Sequence, residues 1–361
     1  MRREWPLLIS VATTALFLAY GKSWFADASN VPWYAFLFGW LFGTILMSAF
    51  AVVRHADILA ARLGEPLGTL ILTLAVTGME VMMVASVIYA GQGNATFARD
   101  AMFAVIMIAM NGMVGVSLVV GGLRHREQTY NLQGANAFLA VIVPLTVLCL
   151  VMPNFTLATP GPTLSAPQAV FLIVMSVSLY GVFLAIQNVR HREYFVAPGP
   201  QNKAEGPVAG FRSVHYHGTL LVAHLVPVVL LAKQIAVPID FGINVLQAPA
   251  ALGGLLVSGL VLLPESVSAI GAARENQLQR SVNLLMGSVL AAISLTVPTI
   301  LVIGFVTGQQ VALGLIPTDM VLLVLTLAVS TLTFASARTN VLSGAVHLLL
   351  FLAYLILVFD R

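Results

Sequence analysis

Apolar runs of about 20 residues recur along the whole chain, and they leave few folds open to it. Wound into α-helix, each run matches the thickness of a bilayer's hydrocarbon core, about 30 Å. Of 361 residues, 59% are hydrophobic and 9% are charged, which is too few polar side chains to cover a protein in water. A barrel would instead show alternating segments of about ten residues. The sequence therefore predicts an all-α polytopic membrane protein whose partner is the lipid bilayer.

Cutting the chain where charges, Pro and Gly interrupt the apolar runs predicts eleven transmembrane helices. They are 5–21, 31–53, 66–90, 99–122, 135–152, 167–188, 213–236, 243–270, 277–306, 315–335 and 341–359. Cytoplasmic loops collect Lys and Arg, and this count places 13 of them on the side of the N-terminus and 4 on the other. The chain is thus predicted to lie in the inner membrane, with its N-terminus cytoplasmic and its C-terminus periplasmic.

The first apolar run has a second interpretation, because a basic start followed by an apolar stretch is also typical of a cleaved signal peptide. An Ala-x-Ala sequence follows Tyr20 at Ala26-Asp27-Ala28, so a cleaved signal peptide stays open as the alternative to the predicted retained helix. The orientation of the other ten helices is the same in both cases.

The longest polar segment divides the chain into two halves of five helices each. We predict an N-terminal helix in residues 1–30, a first five-helix repeat in 31–190, a cytoplasmic linker in 191–212 and a second repeat in 213–361. Since five is odd, the second set starts from the opposite face of the membrane. Halves that share a fold would then be inverted-topology repeats.

Two glutamates occupy matching places in these halves. Gly68 to Glu80 and Gly253 to Glu265 align without gaps, and each glutamate lies in the second helix of its half. Each follows its glycine by twelve residues, or about 18 Å of helix. Entering from opposite faces, both side chains are predicted to lie near the midplane of the membrane.

Carboxylates at this depth are costly, at about 2.5 to 3.5 kcal/mol on insertion scales, and need a proton, a partner or a cation. No Lys or Arg occupies the centre of a predicted span. Glu80 and Glu265 are therefore predicted to bind cations and protons, with a structural role as hydrogen-bonded neutral acids as the alternative. Oxygen ligands suit Ca²⁺ or Na⁺ better than Zn²⁺ or Cu⁺.

Further ligands are needed, because Ca²⁺ takes six to eight oxygens. Thr77-Gly78 and Pro264 are expected to open the two glutamate helices and free backbone carbonyls. Facing helices offer Asn111, Gly112, Asn283, Gly287, Ser288 and Ser294. Close helix packing by small residues is the alternative role for each of them.

The histidines and the single cysteine carry weaker signals. His215 and His217 are expected to be solvated at a cytoplasmic helix entry, whereas His224 and His347 are candidates for packing or for a proton relay. Cys149 lies in an apolar run and is interpreted as a packing residue. No cofactor and no nucleic-acid partner is indicated, and the oligomeric state is left open.

Several stretches resemble the bacterial ChaA-type branch of the calcium/proton exchangers, in the cation/calcium antiporter superfamily. They are Gly68–Glu80, Leu263-Pro264-Glu265, Asn283–Pro298 and Arg338–Ala345. The resemblance covers nearly the whole chain after the first helix. It implies eleven helices, two inverted five-helix repeats and one essential glutamate in each repeat, matching Glu80 and Glu265.

The chain departs from this resemblance at two points. Many members carry Gly-Asn-x-x-Glu in the repeats, but Thr77 and Leu262 stand at the Asn positions here. The loss of two amide oxygens leaves Na⁺ and K⁺ open as transported cations beside Ca²⁺. Some relatives also have an acidic stretch between the halves, whereas Glu205 is the only acidic residue in positions 197–210 of this sequence.

The sequence as a whole predicts a non-enzymatic, secondary active antiporter that exports Ca²⁺, or Na⁺ or K⁺, in exchange for protons. A cation channel is one alternative, although channels usually place their site in a symmetric oligomeric pore. An intramembrane hydrolase is another, but neither His-Glu-x-x-His nor Gly-x-Ser-x-Gly occurs in the sequence.

Overall fold

A computed structural model describes residues 4–27, 30–63, 67–90, 95–197 and 213–360 of the chain. Most of the predicted linker, residues 198–212, lies outside the described residues, and so do Arg2, Arg3 and Arg361, which entered the charge count. Nearly all of the described chain is helical. The all-α prediction is thus confirmed.

Eleven helices in the described residues correspond one to one with the eleven predicted spans. They are α1 (Trp5–Trp24), α2 (Val31–Leu63), α3 (Leu67–Ala90), α4 (Phe97–His125), α5 (Leu132–Leu150), α6 (Ala166–Arg190), α7 (Val214–Asn244), α8 (Ala250–Arg274), α9 (Leu278–Thr307), α10 (Pro317–Thr333) and α11 (Val341–Phe359). In the part of the chain that the structure describes, nine helices are long and apolar enough to cross a membrane, and two apolar segments, Leu74–Ile88 and Pro317–Thr333, are shorter.

Short elements join the helices. Two-residue strands β1 (Gln128–Thr129) and β2 (Arg338–Thr339) pair antiparallel, with Gln128 opposite Thr339. Single 3₁₀ turns cover Met152–Asn154 and Arg192–Phe195. The side chain of Asn340 accepts hydrogen bonds from the backbone N–H groups of Leu342 and Ser343 and caps α11.

Three predicted helix ends were wrong by seven or more residues. Helix α2 continues ten residues past the predicted end at 53, because no Gly or Pro interrupts residues 54–63 and the polar residues Arg54, His55 and Asp57 lie within a helix-forming, Ala-rich stretch. Helix α7 continues through Pro238 to Asn244, and α8 begins only at Ala250, after Pro249. Membrane helices tolerate proline where neighbouring groups satisfy the freed backbone.

Three helices contain π-helical segments: Met107–Met113 in α4, Ala292–Thr296 in α9 and Ile186–Arg190 at the end of α6. The first two occupy the third helix of each half. The segment in α4 packs against α8, and the segment in α9 packs against α3. Each π segment therefore faces the glutamate-bearing helix of the other half, a reciprocal arrangement that two related halves predict.

Hydrogen bonds between loops sort the helix ends into two faces. On one face, His125 bonds the carbonyl of Arg274, and Asn131 donates to the carbonyl of Glu193. On the other, Ala312 N–H bonds Ala95 O, and Leu315 N–H bonds Leu150 O. Each loop in these contacts lies at one face only, and successive loops along the chain lie at opposite faces. This is the pattern expected for eleven helices that each cross the membrane once. The first face carries Arg54, Arg62, Arg124, Arg126, Arg190, Arg192, Arg274, Arg280 and Arg338, and we call it the arginine-rich face.

The two halves pack closely around the glutamate helices. Helix α2 lies along α7, α4 packs against α8, and α1 contacts both α2 and α7. Helices α4 and α11 approach through Gly115 and Gly344, where a Cβ on Gly344 would lie 2.7 Å from the backbone nitrogen of Val119. A larger residue does not fit there without moving the helices apart.

Candidate functional site

Glu80 on α3 and Glu265 on α8 are both buried, with 2% and 8% of their surface exposed. The two carboxyl groups lie within electrostatic range of each other, and α3 packs against α8. Glu80 Oε1 has no hydrogen-bond partner among the described residues, and neither glutamate forms a salt bridge with them. The fold thus brings together the two acids that were predicted to share a site.

A cavity of about 550 Å³ leads to Glu265. Its inner wall includes Val76 and Thr77 of α3, one turn before Glu80. Its outer wall belongs to segments at the arginine-rich face, with Gln187, Asn188, Arg192, Val196, Ala197, Asn276, Gln277, Gln279 and Arg280. The site is therefore open toward the arginine-rich face, with Glu265 at the cavity wall and Glu80 behind it.

Four of the predicted supporting residues line this cavity: Thr77, Asn283, Gly287 and Ser288. The Ser288 hydroxyl donates a hydrogen bond to Glu265 Oε2. Asn283 donates to the carbonyl of Phe195 at 2.6 Å and accepts from Gln279 at 2.8 Å. Ser288 is thus a direct partner of the site, whereas the amide of Asn283 is engaged in holding the 190–197 segment against α9.

Asn111 and Gly112 lie elsewhere, on α4. Asn111 donates to Thr326 Oγ1 at 2.8 Å and pairs with His347 Nδ1 at 3.1 Å. Gly112 lies against the ring of Phe351, which a Cβ would meet at 3.3 Å. Asn111 thus contacts α10 and α11, Gly112 contacts α11, and neither residue lines the cavity.

Ser294, Gly78 and Pro264 have no direct contact with a carboxylate of the site among the described hydrogen bonds. Ser294 is fully buried in the π segment of α9, and its hydroxyl has no partner among the described residues. The expected opening of the glutamate helices is not observed, because α3 remains helical through Gly78 and α8 through Pro264. The departures from α-helical geometry lie instead in the π-helical segments of the facing helices α4 and α9. Such π-bulges commonly occur at functional sites.

Asp57 is a site residue that the sequence analysis missed. Its carboxylate lies within electrostatic range of Glu265 and of Arg280 at the cavity wall. The predicted end of the second helix at residue 53 places Asp57 between helices. The uninterrupted stretch 54–63, with neither Gly nor Pro, was the signal that could have extended the helix and brought Asp57 into consideration.

The histidines differ from expectation in one case. His217 is buried, not solvated, and its Nδ1 lies 2.9 Å from Nδ1 of His55. His215 is exposed, as predicted, and His224 and His347 are fully buried. His347 bonds Asn111 and Thr333, so it belongs to the polar network between α4, α10 and α11. Cys149 is buried, which agrees with a packing role.

Comparison with known protein families shows which family this chain belongs to. The profile of the family described as "Sodium/calcium exchanger protein" matches residues 33–189 and 219–359. The chain belongs to this family. Its two matched segments cover the two five-helix sets and leave out α1, which is consistent with inverted repeats in this exchanger family.

Relatives of this exchanger-family protein include two similar bacterial sequences. The sodium-potassium/proton antiporter ChaA of Escherichia coli is 41% identical over 87% of this chain and 86% of its own length. A Sinorhizobium fredii protein described as an ionic transporter, y4hA, is 44% identical over 87% of this chain and 86% of its own length. The resemblance to the ChaA-type branch is confirmed.

Solved structures share the fold of this family member at low sequence identity. The structure of YfkE superposes with a TM-score of 0.75 at 17% identity, covering 99% of this chain and 100% of its own. The H⁺/Ca²⁺ exchanger CAX gives a TM-score of 0.67 at 13% identity, covering 99% and 89%. The eleven-helix architecture is thus that of known transporters.

Ser288 offers a test of the site in this exchanger. A hydrogen bond to a charged group contributes about 1.5 to 3 kcal/mol, so we expect Ser288→Ala to raise the half-saturating cation concentration for transport by about tenfold or more. Ser288→Thr keeps the hydroxyl and should retain most of the affinity. Ser281→Ala, a buried serine on the same helix, is the control. Equal effects of the two alanine variants would contradict a role of the Ser288 hydroxyl at the site.

Gly287 tests the open side of the cavity. A side chain fits there, because the nearest atom to a Cβ is Phe138 Cε1 at 3.9 Å. In a Cys149→Ala background, Gly287→Cys should react with a membrane-impermeant thiol reagent added to the arginine-rich face. Excess transported cation should slow the reaction. The wild-type protein, whose single cysteine, Cys149, is fully buried, should stay unlabelled, and labelling of Gly287→Cys from the opposite face alone would contradict the geometry.

Proposed function

We propose that this protein is a secondary cation/proton antiporter whose two substrates compete for Glu80 and Glu265. The observation that carries the proposal is a pair of buried carboxyl groups, one from each half, within electrostatic range of each other and without a salt bridge among the described residues. Two such charges in a low-dielectric site need compensation. Protons and a metal cation are the ligands that can supply it from the cavity.

The exchange mechanism follows from this competition. With both carboxylates ionised and empty, the site carries uncompensated charge and resists the change between states open to opposite faces. Loading by a cation or by protons neutralises it, so that only loaded forms isomerise. Each passage of a cation in one direction is then matched by protons in the other.

The transported cation belongs to the hard class that prefers oxygen ligands, which includes Ca²⁺, Na⁺ and K⁺. Two features favour Na⁺ or K⁺: the absence of amide side chains at positions 77 and 262, and the 41% identity to an antiporter named for sodium and potassium. The charge of two carboxylates, with Asp57 nearby, favours Ca²⁺. We therefore propose that the transported cation belongs to this oxygen-preferring class, and cation-dependent proton release would rank Ca²⁺, Na⁺ and K⁺.

We propose that the protein lies in the inner membrane with its arginine-rich face toward the cytoplasm, because Lys and Arg are in excess at that face. The cavity would then load cations from the cytoplasm, and the proton gradient would drive their export. The division into an N-terminal helix, two repeats and a linker at 191–212 stays part of this proposal.

Everted vesicles test the function directly. After a proton gradient is set up, addition of Na⁺, K⁺ or Ca²⁺ in turn should release the quenching of a pH-sensitive dye, and the most effective cation identifies the cargo. A channel would instead show cation flux without counter-movement of protons. Absence of proton release with all three cations, in vesicles shown to contain the folded protein, would overturn the proposal.

A further inference from the structure

A second cluster of ionisable groups lies away from the glutamate cavity, at the arginine-rich end of α1, α2 and α7. It consists of Glu4, His55 and His224, each of which offers one ligand atom within 4.8 Å of the others. We propose that these three residues bind a divalent transition-metal ion of the Zn²⁺ class, at a site separate from that of the transported cation.

The distances between the ligand atoms suit such an ion. His55 Nε2 lies 3.3 Å from Glu4 Oε2, and His224 Nε2 lies 3.8 Å from the same oxygen. Ligands about 2.0 to 2.1 Å from a tetrahedral ion are separated by about 3.3 Å. Two imidazoles and one carboxylate form a donor set that zinc commonly takes. Small adjustments of His224 would close the site.

The environment of His224 supports the proposal independently. Its side chain is fully buried, and neither ring nitrogen has a hydrogen-bond partner among the described residues. A buried imidazole without partners is costly, and its Nε2 points toward the ionic pair made by Glu4 and Arg54. A metal ion coordinated there would satisfy one of its nitrogens.

His55 is already held in the orientation that coordination needs. Its Nδ1 lies 2.9 Å from Nδ1 of His217, and its Nε2 lies 3.2 Å from the guanidinium of Arg54, which can only donate. The same Nε2 lies 3.3 Å from Glu4 Oε2, which can only accept, so metal coordination requires the tautomer in which Nε2 carries no proton and Nδ1 donates to His217. Metal-bound histidines are typically held in this way, with the second nitrogen donating to a neighbour.

Arg54 would compete with a metal ion for two of the ligand atoms. Its guanidinium lies 2.9 Å from Glu4 Oε2 and 3.2 Å from His55 Nε2, the two atoms that a metal would take. The side chain is 39% exposed, so it can turn to solvent when an ion enters.

The position of the cluster gives a bound ion a mechanical consequence. Glu4 precedes α1, His55 lies on α2 and His224 lies on α7. Helices α2 and α7 are the first helices of the two halves, and α1 belongs to neither. The ion would tie α1 to both halves at the arginine-rich face.

The test uses untagged, full-length protein in detergent, with Glu80→Gln and Glu265→Gln introduced so that the proposed transport site cannot bind metal. Calorimetry with Zn²⁺, and visible absorption with Co²⁺, should show one ion per chain and a rise in the melting temperature. His55→Ala and His224→Ala should each weaken binding by about 100-fold or more, and His217→Gln by about 10- to 100-fold. His215→Ala, an exposed histidine of the same helix, should leave binding unchanged.

Arg54→Gln gives the most discriminating result, because removing the competing cation should tighten Zn²⁺ binding. A variant that merely destabilises the fold would not do so. His224→Gln, which keeps the side-chain size, replaces His224→Ala if the latter does not fold. The proposal is overturned if no Zn²⁺ binds, if His55 and His224 variants bind as well as His215→Ala, or if Arg54→Gln weakens binding.

Discussion

Replacing either buried glutamate by glutamine should abolish exchange. We expect Glu80→Gln and Glu265→Gln each to lower cation-dependent proton release to the level of vesicles without the protein. Glutamine resembles a protonated glutamate in size and hydrogen bonding, so the fold should persist. It cannot release a proton to make room for a cation, and the site would be fixed in one loaded form. Dye fluorescence in everted vesicles measures the loss.

Two controls make this result specific. Glu127→Gln changes a glutamate whose side chain is 57% exposed at the arginine-rich face, and it should transport normally. Size-exclusion chromatography in detergent should show that the Glu80 and Glu265 variants remain monodisperse. If either variant kept half of the transport, that residue would not belong to the shared site. If both kept it, a different pair of groups would have to carry the exchange.

The second large effect concerns pH. Because protons and cation compete for the same carboxyl groups, the apparent cation affinity should weaken as the pH falls on the loading side and strengthen as it rises. Each proton that a cation displaces changes the affinity by about tenfold per pH unit in the range where the carboxyls are protonated. Displacement of two protons from the coupled pair would change the affinity by up to about 100-fold per pH unit. Half-saturating concentrations measured across a pH series test this expectation.

The side of the membrane on which pH acts is also determined by the geometry. The cavity that reaches Glu265 opens to the arginine-rich face, so pH at that face should control loading in this state. Ser288→Ala should shift the whole curve to weaker affinity without flattening it. An apparent affinity that stays constant over about three pH units around neutrality, with transport intact, would place the protons elsewhere. The buried histidines His224 and His347 would then be the next candidates.

The amino-acid sequence alone predicted the helix count, a division into two halves and two glutamates within apolar helices. Each of these depends on a local or cumulative signal: a run of about 20 apolar residues has only one economical conformation in lipid, and an ionisable residue inside such a run stands out. The same logic failed at Asp57, because α2 continues past the polar residues Arg54, His55 and Asp57, which would end a span at a lipid boundary. Interior helices carry polar residues wherever neighbouring protein, and not lipid, surrounds them.

Only the tertiary structure decided which polar residues meet. In the sequence, Asn111 and Ser288 are equally good candidates, because both are polar residues on helices predicted to face the glutamates. In the structure, Ser288 bonds Glu265, whereas Asn111 bonds Thr326 and His347. The same holds for Glu4, His55 and His224, which are separated by tens to hundreds of residues and form a cluster only because α1, α2 and α7 end at one face. Helical periodicity fixes the face on which a residue lies. The register and tilt of one helix against another depend on packing of small residues and on interhelical hydrogen bonds, and neither can be determined from a single segment.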